Sequence, residues 1–160
     1  MKPARRQAGF TLVELMVTAT IVAVLSTVAL PLAELTVKRK RENELRAALR
    51  ELRGAIDAYK LAADEGRVQK RADASGYPAS LELLVDGVQD TRSAKKNKIY
   101  FLRRLPRDPL HPDPQLPPAQ TWAKRSYDSP PDEPREGRDV YDVHSMSDAD
   151  GINGIPYRTW

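Results

Sequence analysis

Cysteine is absent from the 160 residues, and histidine occurs only at His111 and His144. The first absence excludes disulfide frameworks, thiolate nucleophiles and cysteine-based zinc or iron–sulfur sites. Two histidines far apart in sequence argue against a histidine-rich metal site. No glycine-rich phosphate loop occurs, and no pair of carboxylates sits in a catalytic frame. Ser145 adjoins His144, but neighbours in a strand point to opposite faces and do not form a nucleophile–base pair. An enzyme is therefore not expected. Nine of the 13 prolines fall between Pro106 and Pro134, so that stretch reads as loop. The length allows one modest globular domain plus an extension.

The net charge of +4 comes from 26 basic and 22 acidic residues. Lys2, Arg5 and Arg6 precede Gly9, and without them the balance is 23 to 22. The basic excess then belongs to a targeting segment, and overall basicity gives no support for nucleic-acid binding. Tyr127, Tyr141, Tyr157, Trp122 and Trp160 could serve as base-stacking platforms, but packing within a small domain explains them better.

From Phe10 to Val37 the only charges are Glu14 and Glu34, and Leu15 to Ala33 is 19 residues without one. A membrane-spanning helix needs roughly 20 apolar residues. A core helix of a soluble protein would carry a polar stripe, and none is evident. Two membrane readings compete on these features. A secretory signal peptide would be cut near Thr27-Val28-Ala29; alternatively the span is kept as an anchor. Three basic residues precede the span and Lys38, Arg39, Lys40 and Arg41 follow it, so charge alone leaves the orientation open. The run from Lys38 to Arg41 suits contact with lipid headgroups.

Gly9-Phe10-Thr11-Leu12-Val13-Glu14 resembles the prepilin peptidase site of type IV pilins and type II secretion pseudopilins. The resemblance implies removal of a leader, residues 1–9, by prepilin peptidase after Gly9. It implies methylation of the new amino terminus at Phe10 and a role in assembly for Glu14. Pro31 stands where such helices commonly carry a kinking proline. A carboxylate in hydrocarbon is costly and marks function. Glu14 could pair with the Phe10 amine of a neighbouring subunit, or it could favour the helix amino terminus by its charge.

Between Thr11 and Asp64 only Pro31 interrupts a helical pattern, and Gly54 weakens it by about 1 kcal/mol relative to alanine. Leu45, Leu49, Leu52, Ile56 and Tyr59 form one apolar stripe. Glu42, Arg46, Arg50 and Arg53 are assigned to the polar side. The expected organisation is a membrane-spanning and fibre-core helix over residues 10–37 and a domain over 38–160. In that domain the helix continues to about residue 64. A short helix follows over Tyr77–Val85, with Ser80 a possible cap. Asp86 to Lys98 reads as a charged loop. Ile99–Leu102, Ser126–Asp128 and Val140–Ser145 read as three strands of one antiparallel sheet. The fold class is α+β: a pilin-like long helix, membrane-spanning in its first half, packed on a small antiparallel sheet.

Tyr77-Pro78 with Leu81 and Leu84, then Leu105-Pro106-Arg107-Asp108-Pro109, then Asp142-Val143-His144-Ser145, is similar to the major pseudopilin of type II secretion. The family's Trp-Gly-Asn after the Asp-Pro pair is replaced by Leu110-His111-Pro112. The resemblance implies a structural, non-enzymatic subunit in the bacterial inner membrane, with a single span and its carboxy-terminal domain in the periplasm. Its partners would be prepilin peptidase, copies of itself, minor pseudopilins and the inner-membrane assembly platform, with no nucleic acid. A minor pilin, or a DNA-uptake or adhesion pilin, is the alternative. A third reading is a soluble periplasmic protein freed by signal peptidase. The family commonly binds calcium after the last strand, and calcium takes six to eight oxygen ligands. Here Asp142, Ser145, Asp148, Asp150 and Asn153 would be the donors, with Gly151 and Gly154 turning the chain. An ordinary polar turn is the competing reading.

Overall fold

The computed structural model describes residues 9–71 and 73–160. The expected leader, save Gly9, lies outside the described residues. The chain divides into two compact units, Met1–Arg39 and Lys40–Trp160. Helix α1, Leu12–Asp64, begins in the first and ends in the second, with Pro31 inside it. Its early part is the one stretch among the described residues long and apolar enough to cross a membrane, and none of that window is buried. Phe10, Leu12, Val13, Leu15, Met16, Ile21, Val22, Val24 and Leu25 all face outward.

In the Lys40–Trp160 unit the stripe does what its spacing predicts. Leu45, Leu49, Leu52, Ile56 and Tyr59 are buried, joined by Ala48, Ala55, Ala62 and Ala63. Against them lie Leu81, Leu84, Trp122, Val140, Val143 and Tyr157. The helix ends where Gly66, at φ 71°, turns the chain and Arg67 N–H donates to Ala62 O. The fold class is α+β, as expected, but its smaller elements differ from the sequence reading.

The single three-stranded sheet is replaced, among the described residues, by two antiparallel ribbons. β1 (Val88–Gln89) pairs with β2 (Lys98–Ile99), and β3 (Trp122–Arg125) pairs with β4 (Asp142–Ser145). The segment read as a charged loop, Asp86 to Lys98, is therefore a hairpin. The strand expected over Ile99–Leu102 stops at Ile99, because the N–H groups of Phe101 and Leu102 both donate to Leu84 O. The strand expected at Ser126–Asp128 lies earlier, at β3. Ser126 Oγ and Tyr127 N–H instead turn to the Asp139 carboxylate, at 2.7 and 2.9 Å. β4 is shorter than Val140–Ser145, since Val140 N–H donates to Pro78 O.

The same bond explains the short helix. α2 covers only Leu83–Asp86, without the expected Ser80 cap. Pro78 offers its carbonyl across the chain, and Tyr77–Ser80 stays non-helical. The register of the second ribbon sets Trp122 opposite Ser145 and Arg125 opposite Asp142. Trp122 is fully buried, and its indole Nε1 donates to Pro106 O at 2.9 Å. That contact fastens the proline-rich loop to the ribbon.

Candidate functional site

Two places carry the residues singled out by sequence, one in each unit. In the first, Gly9 and Phe10 lie in irregular chain just before α1, and Phe10 is 84% exposed. Among the described residues, a Cβ built on Gly9 would meet nothing within 4 Å. None of the described residues therefore requires a glycine there by close approach.

Glu14 stands at the third position of α1, and Thr11 caps it. Glu14 N–H donates to Thr11 Oγ1 at 3.2 Å, and Thr11 N–H reaches back to Glu14 Oε2 at 3.4 Å. This is a reciprocal capping box, which satisfies two otherwise orphaned donors of the first turn. Within one chain the carboxylate therefore serves the helix terminus. The bonds use Oε2; Oε1 accepts none from the described residues.

In the second unit, the five expected calcium donors are not brought together. Asp142 Oδ1 receives Arg53 Nε at 2.7 Å and its neighbour Val143 N–H at 2.8 Å. Ser145 is buried, and its hydroxyl donates to Asp108 Oδ2 at 2.5 Å. Asn153 Oδ1 accepts Ile155 N–H at 3.1 Å, a local turn bond. Asp148 and Asp150 are exposed. Among the described residues no three acid or histidine side chains stand where they could share an ion. An oxygen cage needs its donors free and convergent, so the residues present do not fit calcium as one site.

What holds the carboxy-terminal segment is α1. Glu42 is 4% exposed, and its Oε1 accepts Ile152 N–H at 2.7 Å and the Tyr157 hydroxyl at 3.0 Å. Burial, and then the Glu42 carboxylate, push the Tyr157 hydroxyl up to about 12, so it stays a donor at any physiological pH. Arg53 Nη2 donates to Val143 O at 3.1 Å and to the main-chain oxygen of Trp160 at 2.7 Å. The Arg46 guanidinium stacks over the Trp160 ring at 4.3 Å. The segment's own turn closes through Gly151 N–H to Ile155 O, at 2.9 Å. A side chain at Gly151 would collide with Asn153 and Trp160.

Sequence reasoning placed Glu42 and Arg53 on the solvent side, and the structure corrects this. The missed signal was register: Glu42 stands three residues before Leu45 and so continues the buried stripe. His144 and Ser145 do face apart. Ser145 is buried and His144 half-buried, where burial holds the imidazole below its usual value. Tyr77, Tyr127 and Tyr141 pack on one another with ring centroids 5.0–5.6 Å apart, an arrangement that spends their faces on each other.

Residues 4–30 match the family described as "Prokaryotic N-terminal methylation motif". The chain is 32% identical over 116 residues to "Type II secretion system core protein G" of Klebsiella pneumoniae, covering 70% of this chain and 75% of that protein. It is 31% identical over 114 residues to the protein of the same name from Vibrio cholerae serotype O1, covering 68% and 69% respectively. No solved structure matches the chain significantly.

Removing the Glu42 carboxylate leaves Ile152 N–H and the Tyr157 hydroxyl without an acceptor, which costs about 1–3 kcal/mol. Glu42→Ala is expected to lower the unfolding free energy of the whole chain in detergent, read from its denaturant curve, by that amount. Glu44→Ala, which removes only an exposed pairing with Lys40 at 3.9 Å, is expected to change it by about 0–1 kcal/mol. Equal effects would show that the buried bonds do not hold the segment.

Proposed function

The chain belongs to the family of type II secretion system core protein G, the major pseudopilins, and from that premise we propose that it is a structural subunit of a periplasmic pseudopilus that drives protein export. In this reading prepilin peptidase cuts between Gly9 and Phe10 and the new amine of Phe10 is methylated. The apolar part of α1 anchors the subunit in the inner membrane, with the Lys40–Trp160 unit in the periplasm. The subunit then leaves the bilayer into a fibre of its own copies and minor pseudopilins, on the assembly platform. It works as a building block and not as an enzyme.

The observation that carries the reading is the outward-facing apolar surface of α1, interrupted by one carboxylate at the start. A helix this apolar has to be covered, by lipid or by other helices. Gly9 adds to it. A glycine that no described neighbour requires fits recognition by an outside agent, and a peptidase reading Gly9-Phe10 is such an agent. The match of residues 4–30 to the methylation motif supports the same processing. The alternative of a pilin for DNA uptake is not favoured. Charge on the second unit is mixed, with ion pairs such as Arg67–Asp90 and Lys124–Glu136. The exception is residues 91–107, considered below.

Glu14 acquires a second partner in the assembly. The neighbour's Phe10 amine, a cation at the same depth, pairs with the carboxylate and fixes the axial stagger of the helices. The calcium implied by the resemblance remains a proposal of the sequence alone. Its donor set does not fit one cage, and no step of the assembly is routed through it.

Amino-terminal sequencing of the mature protein is expected to begin at Phe10; a start at Leu30 would instead show ordinary signal peptidase and remove the anchor. Glu14→Gln keeps an amide able to complete the capping box but removes the charge. Both Glu14→Gln and Glu14→Ala are expected to be cleaved and inserted yet to form no fibres, seen by electron microscopy of sheared cells. Normal fibres from Glu14→Gln would leave the residue as a cap alone. The thermal midpoint of the whole chain in detergent is expected to be the same in calcium and in chelator. A rise in calcium that Asp150→Ala abolishes would reinstate the ion.

A further inference from the structure

One glycine of the long helix has no evident reason among the described residues. Gly66, Gly76, Gly87 and Gly154 take positive φ, and side chains at Gly137 and Gly151 would collide with neighbours. Gly54 shows neither feature. Gly54 lies mid-helix, exposed, where glycine weakens α1 relative to alanine. It lines an open groove of about 710 Å³ between α1 and the segment after β2. Ala55, Ala58, Phe101 and Leu102 add apolar surface to the groove, and Arg50, Arg103 and Arg104 bring three guanidinium groups to it against the single carboxylate of Glu51. These arginines are exposed and have no carboxylate partner among the described residues. They belong to a stretch, residues 91–107, that holds seven basic residues if Arg107 is included and no acidic one, with Arg50 added from α1.

The complementary surface is on the same chain. Asp148 and Asp150 are exposed without a cationic partner among the described residues, and Met146, Ile152 and Ile155 stand out beside them, 40–49% exposed. The loop that bears them is fixed to α1 at Glu42, Arg46 and Arg53. The groove is built on Glu51, Gly54 and Ala58. At about 100° per residue these two sets of helix positions fall on flanks roughly 130° apart. One flank of α1 therefore offers carboxylates with apolar side chains, and the other offers guanidinium groups with an apolar floor.

We propose that the groove at Gly54 receives the Asp148–Ile152 loop of a second copy of this chain, with Asp148 and Asp150 against Arg50, Arg103 and Arg104. The proposal rests on the fibre reading and adds the contact between second units. Two different patches on separate flanks make a heterologous contact, which propagates from copy to copy and does not close as a two-fold dimer. Arginine suits this task because its planar fork takes a carboxylate on two donors. An isolated exposed ion pair contributes little. Here the charges set which loop enters, and the apolar floor and the missing Cβ at residue 54 let it approach.

Fibre formation by the full chain is the first readout. Asp148→Arg with Asp150→Arg is expected to abolish fibres, as is Arg103→Asp with Arg104→Asp, while all four changes together restore them. Gly54→Leu, which favours the helix, is expected to keep the whole chain folded and inserted at the normal level but to abolish fibres. Normal fibres from either charge-reversed pair, or no recovery in the fourfold variant, would overturn the contact. So would normal fibres from Gly54→Leu. The second readout does not need fibres. The chain has no cysteine, so Arg103→Cys together with Asp148→Cys is expected to give disulfide-linked copies under oxidation in membranes, and neither change alone should. Absence of that product overturns the contact. Absence of fibres from the unaltered chain, with the product present, overturns the fibre reading instead.

Discussion

Two-stranded ribbons cannot stand alone in water, and that constraint governs the Lys40–Trp160 unit. Neither ribbon has a face wide enough to make a core. Both depend on the stripe of α1 from Leu45 to Tyr59, which is buried along its length. Trp122 and Val143, from paired strands, are fully buried in that same core. Leu81 and Leu84 join them from the segment around α2, and Leu84 O also stops β2 by taking the N–H groups of Phe101 and Leu102. The unit is thus organised by one helix, with loops and ribbons arranged to cover one of its faces.

That dependence explains what could be read from sequence. Period and hydropathy are strong where an element is long, so α1, its stripe and its apolar first part were legible. So was the processing motif, because a lone carboxylate in an apolar run is rare. The short elements were not. The bounds of β2, β4 and α2 are decided by backbone bonds to distant carbonyls, such as Val140 N–H to Pro78 O, and local pattern does not encode them. Ser126 and Tyr127 look like strand residues, yet the Asp139 carboxylate takes both. At the candidate site, the acidic loop was legible as donors but not as a site. Asp142 and Ser145 are committed to Arg53 and Asp108, which lie 89 and 37 residues away in sequence.

Two buried carboxylates hold the loops of this unit. Asp108 receives the Ser145 hydroxyl and Leu110 N–H, so the Asp-Pro turn is fastened to the end of β4. Glu42 receives Ile152 N–H and Tyr157, so the chain after β4 is fastened to α1. A buried carboxylate is stable only when its lone pairs are occupied, and here protein donors occupy them. The carboxy-terminal segment is held by Glu42, Arg46 and Arg53 on a helix already fixed by its core.

Glu14 poses the same problem in a setting without water. In the single chain Thr11 solves part of it, through a capping box that engages Oε2. The box satisfies backbone donors but does not neutralise the charge. In hydrocarbon that charge calls for a cation, and α1 carries none before Lys38. On the proposed processing, cutting before Phe10 creates one cation per chain at nearly the same depth. The chain's own amine lies one residue before Thr11, so meeting it would draw the carboxylate away from the cap. A neighbour's amine can approach Oε1 and leave the cap in place. In the proposed fibre, the arrangement that keeps both the cap and the ion pair requires a second helix, displaced along the axis, and a carboxylate at this position would then favour assembly over the isolated subunit.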